Sequence, residues 1–351
     1  MTDADKDFLQ ALLGAPGTSS FESRPAAVWR QRAEAHGAKV SSDGYGNSFA
    51  TFHENGSPKV MLAGHIDEIG LIITYIDDNG LLYFKGVGGW DSQQLVGQRV
   101  RVAGYQGDTL GVVGKMPVHL MSAEDRTKVS KIENLWIDIG AKDGNEARQR
   151  IRVGDFAVIE QPLLELLNGR LASKAIDNRI GAYIVLEAAR RARDAQAEVV
   201  AAATVQEEIG HFGALVAAYG QQPDAAIAVD VTHATDVPGI DKKQNGDVPL
   251  GSGASLSVGS SVHRGLFEML VDTAETEGIP YTIETAPRRT ATDADDIIKA
   301  RTGVPTAVVS IPNRYMHSPN ETIDTTDLEN VIRLIVAFVE RLDERTEFRQ
   351  P

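Results

Sequence analysis

Two adjacent glutamates, Glu207 and Glu208, directly follow an apolar run that predicts a buried strand. Neighbouring carboxylates repel each other, and a bound cation relieves that repulsion. Other residues able to bind metals occur at similar places elsewhere in the chain: His65, Asp177, Asp230 and His317. Three of these follow apolar strands, and the fourth opens a helix. This pattern predicts two metal ions and a hydrolytic enzyme.

Each candidate also has an ordinary structural interpretation. A lone histidine at the end of a strand, such as His65, is more often a structural hydrogen-bonding group. Asp177 can cap the helix that follows it, and Asp230 can be a plain loop aspartate. Asp67 favours metal binding at His65, because a carboxylate near a metal-bound imidazole holds its tautomer and raises its basicity.

Together the residues form a coherent hypothesis in which one aspartate bridges two divalent ions. The ligands would be Asp177 as the bridge, His65 and Asp230 on one ion, and Glu208 and His317 on the other. Three carboxylates and one bound hydroxide then balance four positive charges. A pair of ions lowers the pKa of bound water and stabilises the attacking and leaving oxygens. Glu207 remains free to act as general base, taking a proton from the bridging water and passing it to the leaving amine.

The other histidines and one glycine-rich stretch carry weaker signals. Three histidines have no convergent carboxylates nearby in the sequence and are expected to be structural or on the surface: His36, His53 and His119. Three more lie near the candidate loops and can line a pocket, although packing or surface roles are commoner: His211, His233 and His263. The glycine-rich stretch 251–259 lacks the Lys-Ser/Thr of a phosphate loop. We expect it to be a loop, or to let the backbone approach a substrate.

Composition excludes several classes of protein. The chain has 351 residues, 35 Lys and Arg against 49 Asp and Glu, and a net charge of −14. Without a basic block, a nucleic-acid or anionic-membrane surface is not expected. With no cysteine, disulfides and thiolate metal sites are excluded. The first residues lack a signal-peptide pattern, and no apolar run approaches the ~20 residues of a membrane span. We therefore expect a cytoplasmic globular protein.

The order of the predicted elements indicates two domains. Residues 1–66 contain helical patterns and end in a strand, and from about 169 onward strands alternate with helices. Such alternation is typical of an α/β sheet covered by helices on both faces. The middle is rich in glycine and short alternating runs, which favour a small all-β barrel. We predict a mixed-sheet catalytic domain over 1–70 and 168–351, with a barrel domain inserted at 71–167.

At this point the sequence resembles a known family, the tetrahedral and glutamyl aminopeptidases, which are cocatalytic metallopeptidases. The motifs that carry the resemblance are His65–Gly70, Ala175–Arg179, Val205–Gly210, the Asp230 loop and Arg314–Glu321. Barrel segments also match: Gly88–Asp91, Leu95–Arg99 and Ile137–Ala141. The resemblance spans nearly the whole chain and implies the dinuclear aminopeptidase fold. It also implies the ligand pairing given above, Asp67 in a supporting role and Glu207 as base. A further implication is a homododecamer of tetrahedral shape, assembled from dimers through the inserted domain.

The sequence therefore predicts a dinuclear metal aminopeptidase that removes N-terminal residues from peptides. Its oxygen and nitrogen ligands suit zinc, cobalt or manganese alike. A first alternative is another dinuclear amidohydrolase, such as a deacylase or carboxypeptidase; an aminopeptidase differs in requiring a free α-amine. A second is a non-enzymatic scaffold or glycan-binding protein with the same fold, which the complete set of ligands and base disfavours. The stretch 241–259 departs most from the family motifs, so the preferred substrate residue stays open.

Overall fold

The computed structural model describes residues 2–350, in which strands and helices alternate along most of the chain. The strands are β1 Lys39–Ser42, β2 Ser48–Phe52, β3 Lys59–His65, β4 Gly70–Ile76, β5 Leu82–Val87, β6 Arg99–Gly104, β7 Gly107–Gly114, β8 Trp136–Asp138, β9 Phe156–Ile159, β10 Leu164–Leu166, β11 Arg170–Ser173, β12 Glu198–Thr204, β13 Ala225–His233, β14 Ala254–Gly259, β15 Tyr281–Ala286, β16 Thr306–Asn313 and β17 Glu321–Asp324. The helices are α1 Asp3–Gly14, α2 Ser23–Ala35, α3 Ser92–Leu95, α4 Gly144–Arg148, α5 Ile176–Arg191, α6 Phe212–Gln221, α7 Lys242–Asn245, α8 Arg264–Thr276, α9 Ala294–Ile297 and α10 Thr325–Glu340. Four short 3-10 segments connect them, at Val118–Leu120, Asp125–Thr127, Ile132–Asn134 and Leu167–Gly169.

An eight-stranded mixed sheet forms the centre of the molecule, in the order β1-β2-β12-β3-β13-β16-β14-β15. Its middle strands β12, β3, β13 and β16 run parallel, whereas β2 pairs antiparallel to β12 and β14 pairs antiparallel to β16. The middle strands are nearly continuous apolar runs, as expected for strands buried on both faces. Their parallel direction brings their carboxyl ends to one edge of the sheet.

Helices cover both faces of this sheet. On β3, Leu62 packs with α1, α5 and α10 in the main core, whereas Met61 and Ala63 face the opposite side. There they pack against small residues of α6 and against Ile297 of α9. Alternate residues of one strand thus contact different helical layers, because successive side chains of a strand point to opposite faces. The predicted mixed α/β fold with helices on both faces is confirmed.

A closed barrel of six strands, β4-β5-β8-β7-β6-β9, stands beside this sheet. It has a core of its own, in which inward-facing aliphatic residues such as Leu71, Val100 and Ile137 are fully buried. Trp90 fixes the entry to the barrel, since its Nε1 donates to the carbonyl of Gly70 at 2.8 Å. The prediction of a small all-β barrel is confirmed.

Several elements differ from the sequence prediction. The stretch 251–259, expected to be a loop, contributes β14 to the central sheet. Strands β1, β2 and β17 lie where the sequence patterns predicted no strand. Among residues 2–350, no helix is both long and apolar enough to cross a membrane.

Candidate metal centre

Asp177 lies between two histidines that are far apart in the sequence. Its Oδ1 is 3.2 Å from Nε2 of His65, and its Oδ2 is 3.3 Å from Nε2 of His317. The residue belongs to the first turn of α5 but has φ −73° and ψ 108°, which is outside the helical region. Its carboxylate contacts the two imidazoles and makes no cap to the helix. Each oxygen therefore faces a different histidine, as a bridging ligand would.

The surrounding donors fall into two groups that share this aspartate. In each group, one donor atom from every member lies within 4.8 Å of the others: His65, Asp177 and Asp230 in the first group, and Asp177, Glu208 and His317 in the second. In the second, Nε2 of His317 is 3.3 Å from Oε1 of Glu208. The first group is fully buried, and the second is partly open to solvent.

Four strands bring His65, Asp230, Glu208 and His317 to one edge of the sheet. His65 is the last residue of β3, Asp230 lies in β13, and Glu208 comes four residues after the end of β12. His317 follows β16 through a turn and has a left-handed backbone (φ 58°). Because β3, β12, β13 and β16 run parallel, residues at their carboxyl ends converge.

The electrostatics of the two groups fit cations. Burial raises the pKa of Asp230 well above its usual range. Burial, together with the Asp177 carboxylate, raises the pKa of Glu208 to about 7. Although burial opposes its protonation, contacts with Asp177 and Glu208 raise the pKa of His317 to about 11. Carboxylates that resist ionisation and imidazoles that hold a proton indicate a concentration of negative charge, which divalent ions would neutralise.

The donor chemistry also fits two divalent ions. Carboxylate oxygens and imidazole nitrogens are ordinary ligands of zinc and related transition metals. Nδ1 of His65 is buried without a hydrogen bond of good geometry, and Oδ1 of Asp67 lies 3.3 Å away. A carboxylate at this position can orient the imidazole so that Nε2 is presented to a metal.

Asp67 connects the histidine to the loop that carries the two glutamates. Although burial opposes ionisation, the contact with His65 and the hydrogen bond from Ser19 hold the pKa of Asp67 below its usual range. Its carboxylate accepts from the Ser19 hydroxyl at 2.7 Å and from the backbone N–H groups of Glu207 and Glu208 at 3.1 and 3.2 Å. One buried side chain thus fixes the positions of both glutamates relative to His65.

Glu207 stands beside the first group without belonging to either. Its Oε2 is 3.5 Å from Nε2 of His65, and its Oε1 is 3.2 Å from Nε2 of His211. The residue is buried, with 8 % of its surface exposed. All seven residues singled out in the sequence are therefore brought together, and Glu207 is the carboxylate left over.

Sequence reasoning did not single out Glu321, which supports both groups. Its Oε2 accepts from the backbone N–H of Asp177 at 2.9 Å, and its Oε1 accepts from that of His317 at 2.8 Å. Glu321 is the last residue of the motif Arg314–Glu321. The pattern of apolar residues around it in the sequence does not predict that it is buried. Its only sequence signal was its place in that motif.

The remaining histidines divide as follows. His211 contacts Glu207 and lies at the site, whereas His263 caps α8 by accepting from the N–H of Leu266. His233 is exposed at the end of β13. The other three are distant from both groups: His36 beside Glu187, His53 against the carbonyl of Ala192, and His119 in an exposed 3-10 turn.

The barrel reaches the site through the turn that follows β5. A methyl group built on Gly88 would lie 3.2 Å from Oε2 of Glu208, and one on Gly89 would lie 3.2 Å from Nδ1 of His317. The methyl group on Gly88 would also lie 2.6 Å from Cγ2 of Ile69, and Gly88 has φ 76°, so glycine is favoured most strongly at that position. A cavity of about 860 Å³ elsewhere on the barrel, between Tyr83 and Trp136, includes none of the seven site residues.

Fold and site together define a class of metal-dependent peptide hydrolases. The M42 glutamyl aminopeptidase family matches residues 46–334. The chain is 36% identical to the lysyl aminopeptidase of Pyrococcus furiosus, over 96% of this chain and 97% of the relative. The chain belongs to the M42 glutamyl aminopeptidase family and is an aminopeptidase, which confirms the predicted enzyme class. Peptidases of this family depend on metal ions.

Solved structures agree with this assignment. The TET aminopeptidase of a marine-sediment Thaumarchaeota archaeon has a TM-score of 0.92 and 34% identity, covering 97% of each chain. The TET1 peptidase of Pyrococcus horikoshii, which can assemble into a tetrahedron or a large octahedral shell, has a TM-score of 0.84 and 32% identity. That comparison covers 96% of this chain and 100% of the relative.

Proposed function

We propose that this aminopeptidase holds two divalent ions that share one bridging carboxylate. The observation that carries the proposal is the position of Asp177, whose two oxygens face two different histidines. One ion would be held with His65 and Asp230, and the other with Glu208 and His317. When bound, the ions would polarise the scissile carbonyl and acidify the attacking water. Zinc or cobalt suits these donors, and manganese is a further candidate.

Glu207 is the proposed general base and Asp67 the residue that orients His65. The carboxylate of Glu207 lies beside the first group, 3.5 Å from His65, but is not needed as a ligand. It can take a proton from the attacking water and return it to the leaving amine. Asp67 keeps Nε2 of His65 turned toward the other donors, because its own oxygen faces Nδ1.

Removal of N-terminal residues from peptides is the proposed reaction. Another amidohydrolase activity, such as deacylation or carboxypeptidase action, would use the same donors. Aminoacyl-anilide hydrolysis should stop in chelated protein and return with added zinc, cobalt or manganese. Peptides with a free α-amine should be cleaved, and their N-acetylated counterparts should resist. Full activity in exhaustively metal-free protein would overturn the proposal.

The assembly is proposed to be a homododecamer built from dimers through the barrel. The TET1 peptidase of Pyrococcus horikoshii can assemble into a tetrahedron or a large octahedral shell. In this chain, the barrel exposes apolar side chains on its outer surface, including Leu110, Val112 and Leu120. Exposed apolar residues of this kind often mark protein interfaces.

We also propose that residues 71–167 form a separate assembly domain and that 1–70 with 168–351 form the catalytic domain. The protein is further proposed to be cytoplasmic. Folded proteins are not expected to enter such an enclosed site, and the lack of a basic block argues against nucleic acids and anionic membranes as partners.

A further inference from the structure

His211 occupies an unusual backbone conformation three residues after Glu208. It precedes α6 with φ 57° and ψ 26°, in the left-handed region that few residues other than glycine adopt. Its side chain makes no cap to the helix. The ring is instead buried, with 8 % of the residue exposed, and turns toward Glu207.

The imidazole lies between two carboxylates. Its Nε2 is 3.2 Å from Oε1 of Glu207, and its Nδ1 is 2.9 Å from Oδ2 of Asp296. The other oxygen of Asp296 accepts from Nζ of Lys299 at 2.8 Å. A continuous row of charged groups therefore runs from the proposed base through His211 to the exposed Lys299, just after α9.

This arrangement requires the ring to donate in both directions. An ionised carboxylate offers only acceptors, so an imidazole between two of them is best satisfied as the doubly protonated cation. Although burial opposes that charge, the contacts with Glu207 and Asp296 raise the pKa of His211 to about 9. The cation holds Oε1 of Glu207 and leaves Oε2 on the side of His65.

We propose that His211 is a positioning residue that fixes the carboxylate of Glu207, and that Asp296 in turn fixes the imidazole. The inference rests on the proposed function, in which Glu207 is the general base. A base must lie within hydrogen-bond reach of the proton that it abstracts, and misplacement by about 1 Å can cost ~10²-fold in rate. A cation–carboxylate pair supplies that precision on a loop that has no secondary structure of its own.

The competing explanation is structural. His211 also joins the start of α6 to α9, which pack against each other, so its loss can loosen the fold without acting through Glu207. A double-mutant cycle separates the two explanations, because residues that act through one another are not additive.

The cycle consists of His211→Ala, Glu207→Gln and the double variant, each with two divalent ions restored. His211→Ala should lower kcat by about 10–100-fold and change KM by less than about threefold. In the Glu207→Gln background the same change should cost less than about twofold. Metal content, measured by mass spectrometry, should stay at the wild-type value in all variants. An equal loss in both backgrounds, or loss of metal, would show a structural role and overturn the proposal.

Two further variants keep the test independent of one substitution. His211→Gln retains an N–H donor and should recover part of the lost kcat, and Asp296→Asn should reproduce a weaker form of the His211→Ala defect. His263→Ala, which removes an imidazole at the start of α8, is the control and should leave kcat unchanged. If Glu207→Gln keeps full activity, the assignment of the base fails first and the role of His211 fails with it. If Glu207→Gln is impaired and His211→Ala is simply additive, only the role of His211 is wrong.

Discussion

At the scale of single residues, Asp177 connects the two groups of donors. Both of its oxygens face imidazoles, at 3.2 and 3.3 Å, and no other residue belongs to both groups within residues 2–350. A divalent ion held by either group would therefore be coordinated by the same carboxylate. The metal content of the protein should depend more on this residue than on any ligand of one group alone.

Replacing Asp177 with alanine should remove both ions, because each loses a ligand at once. Asp230→Ala and Glu208→Ala should mainly weaken one ion each. Metal per subunit, measured after equilibration at limiting zinc, gives the comparison. Asp78→Ala, at a fully exposed carboxylate, is the matched control and should keep two ions. Two ions retained in Asp177→Ala would show that the bridge is wrong.

Glu22 tests the electrostatics next to the site through the pH dependence of stability. Burial, together with the Asp67 carboxylate, raises the pKa of Glu22 to about 7. The folded state then holds its proton more tightly than the unfolded state, so the free energy of unfolding falls as pH rises from about 4.5 to 7. Above pH 7 the buried carboxylate of Glu22 is ionised, and it lowers the free energy of unfolding by its full amount. Below pH 4.5 the carboxyl group is neutral in both states and costs no stability.

Glu22→Gln should remove this penalty and keep the acceptor oxygen used by the N–H groups of Ser20 and Gln206. We expect metal-free protein to gain about 1–3 kcal/mol in the free energy of unfolding at pH 8. The gain should be clearly smaller at pH 5. Urea unfolding at the two pH values measures it, and an equal gain at both would contradict the assigned cause.

At the scale of elements, the close approach of β3 and α5 sets the distance between His65 and Asp177. A methyl group built on Gly64 would lie 2.5 Å from the backbone carbon of Gly181 in α5. Backbone atoms cannot rotate away as a flexible side chain does. The strand and the helix can therefore be this close only because position 64 is glycine.

Gly64→Ala should push β3 and α5 apart and misplace His65 relative to Asp177. Such overpacking costs about 1–3 kcal/mol of stability, and metal affinity should fall as well. Thermal unfolding and metal titration measure the two effects. Gly14→Ala is the matched control, since a methyl group there meets nothing within 4 Å. If Gly64→Ala behaved like the control, the close packing would not position the site.

The same elements explain which parts of the fold sequence patterns could predict. Strands β3, β12, β13 and β16 are apolar runs that end in polar or charged residues, so both the strands and the convergence of their ends were predictable. Strand β14, Ala-Ser-Leu-Ser-Val-Gly, carries small residues and a glycine that are typical of a loop. It becomes a strand because it pairs with β15 and β16, and pairing with distant residues cannot be read from a local sequence pattern.

Tertiary contacts likewise account for what was missed in the site. The types of the candidate metal-binding residues and their order along the chain were readable from the sequence, because each stands near the end of a predicted strand or at the start of a predicted helix. Glu321 acts through backbone N–H groups of two distant loops, and His211 through a left-handed backbone. Neither contact leaves a periodic signal in the residues around it.

At the scale of the whole molecule, the outer surface of the barrel bears on assembly. Strand β7 alternates between buried and exposed residues, and Leu110 and Val112 point outward, with 60 % and 49 % of their surfaces exposed. The net charge of −14 opposes association by general repulsion. Specific apolar contacts are therefore needed to hold subunits together.

Sedimentation should find a particle near twelve times the 37.8 kDa chain mass. Leu110→Asp combined with Val112→Asp should break barrel contacts and yield smaller species such as dimers. Hydrolysis of short aminoacyl anilides per subunit should persist, because the ligand groups lie outside the barrel. A wild-type protein that is monomeric at micromolar concentration with full activity would refute the assembly and leave the chemistry intact.

The most direct test of the central claim compares two neighbouring glutamates. Glu207→Gln cannot accept a proton, so turnover should fall about 10²–10⁴-fold, or ~3–5.5 kcal/mol, while both metal ions stay bound. Glu208→Gln should instead weaken the ion shared with His317 and Asp177. Metal content and kcat measured together on both variants decide the assignment. Equal metal loss in the two variants, or full turnover in Glu207→Gln, would contradict a site in which one glutamate binds metal and the other moves the proton.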